Sequence, residues 1–439
     1  MACCYVCGED SELNNGVRDP STLPKDGRVC YSCLDLDNLQ AQIRNTKSFL
    51  AHLESHVHTL KSKYNHTHDH FTHQFPPEII ARIFAFCVAG PQKVLEITPF
   101  TLAAVCRRWR HVVLNFPALW ANVNIDLKRF ETKFRRRQEL LIQWLKRSGQ
   151  VPLSIRMTYH EPADWSWCRG EFKNIINILS VYSHRWQDID LNIPFHLLKH
   201  LCGNGGYISI LRTLTINPPP NRREDQQPPV GTFSFWIPNG NVCPERVSFS
   251  GINFNAIHVH WRYTTEAEFR GIALDDALAL LRAAPNLRTC TLDLLPGTVL
   301  TQNPIIAPSL NTLGISVDAL ESNWPFFEYV RLPVLRSATF RYTTQSFAPF
   351  ATCLSQSGCN SSLTSLVLSG GDCSLDFMDE DGLYMLLAAA PALEALVLHM
   401  PLLPREFFEV MAVQQDLLSR LRKLRYGLGR LTFAWGSVC

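Results

Sequence analysis

Four cysteines near the N-terminus have the spacing that holds a metal ion. Cys4 and Cys7 form one Cys-x-x-Cys pair, Cys30 and Cys33 form a second, and 22 residues lie between them. Each pair sets two thiolates on one side of a tight turn, so two pairs suit one tetrahedral zinc. Cys3 is the alternative to Cys4, but the two-residue spacing favours Cys4. A segment this short has little core, so a structural zinc would explain how it folds. The competing reading is four free thiols in a tail. Residues 1–33 hold Arg18, Lys25 and Arg28 against Glu9, Asp10, Glu12, Asp19 and Asp26. The segment is therefore net acidic, the wrong sign for phosphate contacts.

Other reactive side chains read as surface. His52, His56, His58, His66, His68, His70 and His73 cluster in one stretch. His52/His56 and His66/His70 have a helix-chelating spacing, but no HExxH and no matching carboxylate accompanies them. A solvated polar face is the better reading, with a pH-sensitive helix as the alternative. The run Lys128–Arg137 reads as a solvated helix face, with an acidic-partner contact or a nuclear address as the minority reading. Gly203-Asn204-Gly205-Gly206 lacks the lysine of a phosphate-cradling loop, and no Gly-x-Ser-x-Gly elbow occurs. The expectation is a non-catalytic protein.

Bulk properties agree with that. The 439 residues exceed one comfortable core, so two to four units are expected. Lys plus Arg number 42 against 39 Asp plus Glu, a net charge of +3, which does not suggest a nucleic-acid binder. The opening MACCYVCGED lacks the charged and apolar regions of a signal peptide, and no apolar run is long enough for a membrane span. Fifteen Cys without a secretory signal point to a reducing compartment, cytoplasmic or nuclear. Cys168, Cys290 and Cys353 sit in apolar surroundings and read as buried small hydrophobes.

The elements that position these residues fall into four zones: 1–34, 35–73, 74–127 and 128–439. The second contains no Pro or Gly and reads as one long helix. Leu36, Leu39, Ile43, Leu50, Leu53, Val57, Leu60 and Tyr64 alternate at steps of three and four, with Thr46 in the one gap. That is a heptad seam, offering a coiled coil and a homodimer through residues 36–64. The third zone opens with Pro76-Pro77-Glu78, a helix start, and carries the stripe Ile79, Ile80, Ile83, Phe84 and Cys87. After Gly90-Pro91 a second helix carries Leu102, Val105, Cys106, Trp109 and Val113 and ends before Pro117.

The fourth zone repeats short strand-like runs such as LRTLTI (211–216), LRTCTL (287–292), LNTLGI (310–315), LTSLVL (363–368) and LEALVL (393–398). Helices are expected at Asp275–Ala284 and Glu380–Ala390. One strand and one helix per 20–30 residues is the leucine-rich-repeat pattern, so a stacked solenoid is expected. The polar, Pro-rich stretch 218–232 reads as an exposed loop or a disordered insert.

The third zone resembles the F-box. Phe75-Pro76-Pro77-Glu78-Ile79-Ile80-Ala81-Arg82-Ile83-Phe84 is similar to its opening. Val105-Cys106-Arg107-Arg108-Trp109-Arg110 resembles its second helix, and Pro117-x-Leu119-Trp120 its closing segment. The flavour is that of F-box proteins from mushroom-forming fungi, which also tend to carry a heptad helix ahead and a loose leucine-rich region behind. Trp144–Gly149, Pro152-Leu153 and Arg185-Trp186 resemble recurring features of that set. Phe75 stands where Leu is usual, and Ala89–Pro99 is longer than in the tightest examples. The cysteine segment resembles a treble-clef zinc site and not a RING, which needs eight ligands.

The resemblance implies docking on the Skp adaptor of a cullin-RING scaffold. The implied contact residues are Phe75, Pro76, Pro77, Glu78, Ile79, Ile83, Phe84, Val105, Cys106, Trp109 and Trp120. It also implies an SCF-type ubiquitin-ligase adaptor that positions a protein substrate and does no bond chemistry. The plainer reading is a helical hairpin with Trp109 and Trp120 as core residues. A reading from another class is a zinc-dependent coiled-coil scaffold without a ligase role. The fold class expected is multi-domain: a small all-α F-box after a zinc knuckle and heptad helix, followed by an α/β leucine-rich-repeat-like solenoid.

Overall fold

A computed structural model of the chain describes residues 31–68, 71, 74–89, 98–127, 134–159, 169–198, 200, 210–218, 242–257, 259–295, 303–317, 325–342, 347–359, 361–370, 380–399, 409, 418–427 and 433–435. The chain divides into two compact units, Met1–Val113 and Leu114–Cys439.

The first unit is helical where described. Helix α1 (Tyr31–His68) runs 38 residues, about 57 Å at the rise of an α-helix. Helix α2 (Pro77–Ala89) starts on Pro77, with Glu78 in its first turn where a carboxylate suits the helix dipole. The single second helix expected from the sequence is two. Helix α3 (Pro99–Val105) begins in a reciprocal cap between Thr98 and Thr101. Cys106 then turns extended, with φ −151°. Its sulfur accepts from the Trp109 N–H at 3.4 Å and so caps helix α4 (Arg107–Asn115).

The second unit is a sheet with helical crossovers. Its strands are β1 (Asn122–Asp126), β2 (Leu153–Thr158), β3 (Trp186–Asn192), β4 (Thr213–Ile216), β5 (Arg246–Ser250), β6 (Glu266–Ala273) and β7 (Thr289–Leu295). There follow β8 (Ile305–Ile306), β9 (Thr312–Val317), β10 (Val330–Arg331), β11 (Ser337–Tyr342), β12 (Ser365–Gly370), β13 (Ala395–His399), β14 (Lys423–Tyr426) and β15 (Phe433–Trp435). Thirteen form one sheet in chain order, while β8 and β10 pair separately. Every neighbour in the large sheet is parallel until β15, which turns back antiparallel on β14.

Helices fill several crossovers: α5 (Phe134–Arg147), α6 (Arg169–Val181), α7 (Phe195–Leu198), α8 (Leu274–Ala283), α9 (Ala348–Ser357) and α10 (Glu380–Ala388). Alternation along each strand sends one set of side chains inward. The register lines them up across the sheet. One inner row runs Ile125, Met157, Leu191, Ile216, Phe249, Phe269, Leu292, Ile315, Phe340, Leu368 and Leu398, all buried.

This overturns the expected fold class. Among the described residues the chain is an α/β protein with twelve parallel strands and alternating helices after a long N-terminal helix, not a small all-α F-box followed by a leucine-rich-repeat-like solenoid. Strand β1 lies inside the segment 74–127 expected to be all helical, and it pairs with β2. Among the described residues the crossover helices range from 4 to 14 residues, rather than repeating one length. The physical reason is that alternating leucines report which side of a strand is buried, and any one-face-packed sheet produces that pattern. The first Leu of each row, such as Leu211, Leu287 and Leu363, precedes the strand and is also buried.

Candidate partner-docking surfaces

Helix α2 carries apolar residues on two faces. Ile80, Ala81 and Phe84 point inward and are buried. Phe84 packs on Trp109 with ring centroids 4.7 Å apart, and Phe71 lies 6.2 Å from Phe84 and 5.9 Å from Trp109. Phe71 also accepts, through its carbonyl, the Phe75 N–H at 3.3 Å. This aromatic cluster holds the helices together.

The other face of α2 is open. Ile79, Ile83 and Phe86 are spaced four and three residues apart, which aligns them on one side of a helix. Ile79 is exposed, Ile83 half-buried, and Phe86 is 80% exposed. Phe75, Pro76, Pro77 and Glu78 are exposed at the same helix end, and Val105 is exposed on α3. A face rich in apolar groups beside a packed core is the form a docking surface takes.

The residues expected at an adaptor contact therefore divide. Phe75, Pro76, Pro77, Glu78, Ile79 and Val105 are at the surface. Ile83, Cys106 and Trp109 are half-buried, and Cys106 acts as a helix cap. Phe84 is buried in the aromatic cluster. Trp120 is buried in the second unit, edge-on to Trp144 at 5.5 Å, with the Arg147 guanidinium 4.9 Å over its ring. Trp144 Nε1 donates to the Trp120 carbonyl at 2.9 Å. Sequence reasoning missed Phe86, whose spacing from Ile79 and Ile83 was the available signal.

The second unit presents a polar face. Outward positions between that inner row and a second buried one, which runs from Val123 and Ile155 to Leu366 and Leu396, read Asn124, Arg156, Asp190, Thr215, Ser248 and Glu268 across the early strands. Arg156 pairs with Asp190 at 2.6 Å, Arg246 with Glu266 at 3.3 Å, and Arg270 with Glu268 at 2.8 Å. At the strand starts, Arg212 donates to Glu245 at 2.7 Å. That hydrogen bond holds the Glu245 carboxyl below its ordinary range and the Arg212 guanidinium above its own. Exposed pairs of this kind add little stability, but they give the face a fixed charge pattern. The later strands replace charge with Thr291, Gly314, Thr339, Val367 and Val397.

One buried cation ties the early crossovers together. Arg185 donates to the Val151 carbonyl at 2.6 Å and to Ser148 Oγ at 2.7 Å and its carbonyl at 3.1 Å. Burial draws its pKa below the ordinary value.

Of the expected zinc ligands, Cys4, Cys7 and Cys30 lie outside the described residues, and Cys33 falls in the first turn of α1. Among the described residues no group of three or more His, Cys, Asp or Glu is placed to hold a metal. His52, His56 and His58 are exposed on α1, whereas His70, His73, Cys168 and most of the 218–232 insert lie outside the described residues. Cys290 and Cys353 are buried as expected, and burial pushes the Cys290 thiol up to about 12. Such thiols are core residues rather than nucleophiles. Among the described residues, no helix is long and apolar enough to cross a membrane.

A scan of the sequence against protein-family models finds no match, and a search of curated proteins finds none either.

Proposed function

We propose that this chain is an F-box-type substrate adaptor of an SCF-type ubiquitin ligase, acting in the cytoplasm or nucleus without chemistry of its own. The outer face of α2 docks on the Skp adaptor of a cullin-RING scaffold. The polar face of the sheet receives a protein substrate. One observation carries the reading: Ile79 and Phe86 stand exposed on a helix whose opposite face is already packed against Trp109. Apolar and aromatic anchors of that kind dominate helix-in-groove interfaces.

The early part of the sequence contributes a structural zinc on Cys4, Cys7, Cys30 and Cys33. The position of Cys33 in the first turn of a helix fits, because a helix N-terminus favours thiolate. Metal analysis of the purified protein should find one zinc per chain; a metal-free protein counts against this part alone. The ligase reading is tested by co-expression with a Skp adaptor. A stoichiometric complex is expected, lost on Ile79→Asp with Phe86→Asp. Absence of a complex with the unaltered chain would reject the reading.

A further inference from the structure

The seam of α1 is a regular apolar feature that docking through α2 leaves unused. From Leu36 to Leu60 its apolar residues are 42–56% exposed, so the described residues of this unit leave it open. Their spacing identifies what covers it. A period of 3.5 drifts about 20° per heptad around a straight helix and stays on one line only where helices supercoil. The partner is therefore a helix of the same period and comparable length. Helix α1 has 38 residues, and the next longest described helix has 14. Among the described residues, then, the chain holds no such partner for itself.

We infer that the seam pairs with α1 of a second copy of this chain as a two-stranded coiled coil. Three observations favour the copy. Ile43 and Val57 share one heptad position with Leu36, Leu50 and Tyr64, and Leu39, Leu53 and Leu60 share the other with Thr46. The two β-branched residues at the first position, set against leucine at three of the four second positions, favour two parallel strands. Set parallel and in register, the flanking pairs are Asp35 with Gln40, Gln42 with Lys47, Phe49 with Glu54, and His56 with Lys61. No carboxylate meets a carboxylate and no lysine meets a lysine. Phe49, 63% exposed, extends the apolar strip over the stem of the partner's glutamate. Finally, at roughly 100 Å² per half-covered side chain, the seam brings about 800 Å² from each copy, the size of a standard stable interface.

Light scattering on the full-length protein tests this. A dimer has twice the 49.9 kDa mass of the chain, and a 49.9 kDa species at micromolar concentrations overturns the proposal. Leu50→Asp with Leu53→Asp should return the monomer while the thermal transition of the sheet unit is kept. Those charges also weaken α1 itself, so the gap residue supplies the converse test. Thr46→Leu adds a leucine layer and should lower the dimer dissociation constant about tenfold or more; no tightening contradicts the pairing. The proposal is independent of the ligase reading, because the Ile79→Asp, Phe86→Asp variant should remain dimeric.

Discussion

The seam of α1 and the inner rows of the sheet are built from the same materials, leucine, isoleucine and valine at a fixed period, yet they end in opposite environments. In the sheet, Phe249, Phe269, Leu292 and their neighbours are sealed by register and crossover helices. On α1, Leu36, Ile43 and Leu50 face solvent. Regular spacing alone therefore does not say whether a row is sealed within the chain; exposure separates the two cases. Helix α2 holds both cases at once, with Phe84 inside and Phe86 outside.

The contrast can be broken by truncation. Phe269→Ala in the inner row should cost about 3–5 kcal/mol in chemical denaturation, because it opens a cavity between Phe249 and Trp261. Leu50→Ala on α1 should leave that transition within about 0.5 kcal/mol. Equal losses at the two sites would erase the distinction. A smaller effect is expected at Arg185. Arg185→Met strands the Ser148 and Val151 carbonyls and should destabilise the sheet unit by about 2–3 kcal/mol.

The smallest effect concerns a buried charge, which sharpens the contrast with the exposed ion pairs of the sheet face. Burial pushes the Asp276 carboxyl above its usual range, opposed by the Phe254 N–H that donates to it at 3.2 Å. The folded chain then binds this proton more tightly than the unfolded chain. The contribution is fully present below the unfolded pKa, about 3.9, and is lost as pH rises through the folded value. Asp276→Asn should flatten that part of the stability–pH profile, by under about 1 kcal/mol. An unchanged slope would assign it to other groups.

Much of this was legible in the sequence where one period dominates. The long helix follows from its 3.5 spacing, gapped only at Thr46, and the strands near Leu214, Leu292 and Leu368 follow from burial on a single face. Strands β1, β2 and β6 were not, because NVNID, LSIRMT and EAEFRGIA mix outward polar groups with inner residues and lack the leucine rows. The same omission placed Trp120 with the helices, when its ring packs on Trp144 in the sheet unit. The break at Cys106 was hidden because a cysteine gives no capping signal, although here its sulfur caps α4. On α2, residue type alone does not sort the apolar side chains. Only packing separates Phe84, which lies against Trp109, from Phe86, which is exposed.

The central claim, that the open face of α2 is the docking surface, is tested most directly by titrating a purified Skp adaptor against the intact chain and against Ile79→Asp with Phe86→Asp. The account predicts a weakening of about a hundredfold or more, roughly 3 kcal/mol, with the denaturation midpoint of the chain unchanged. Undiminished binding by the variant would contradict it.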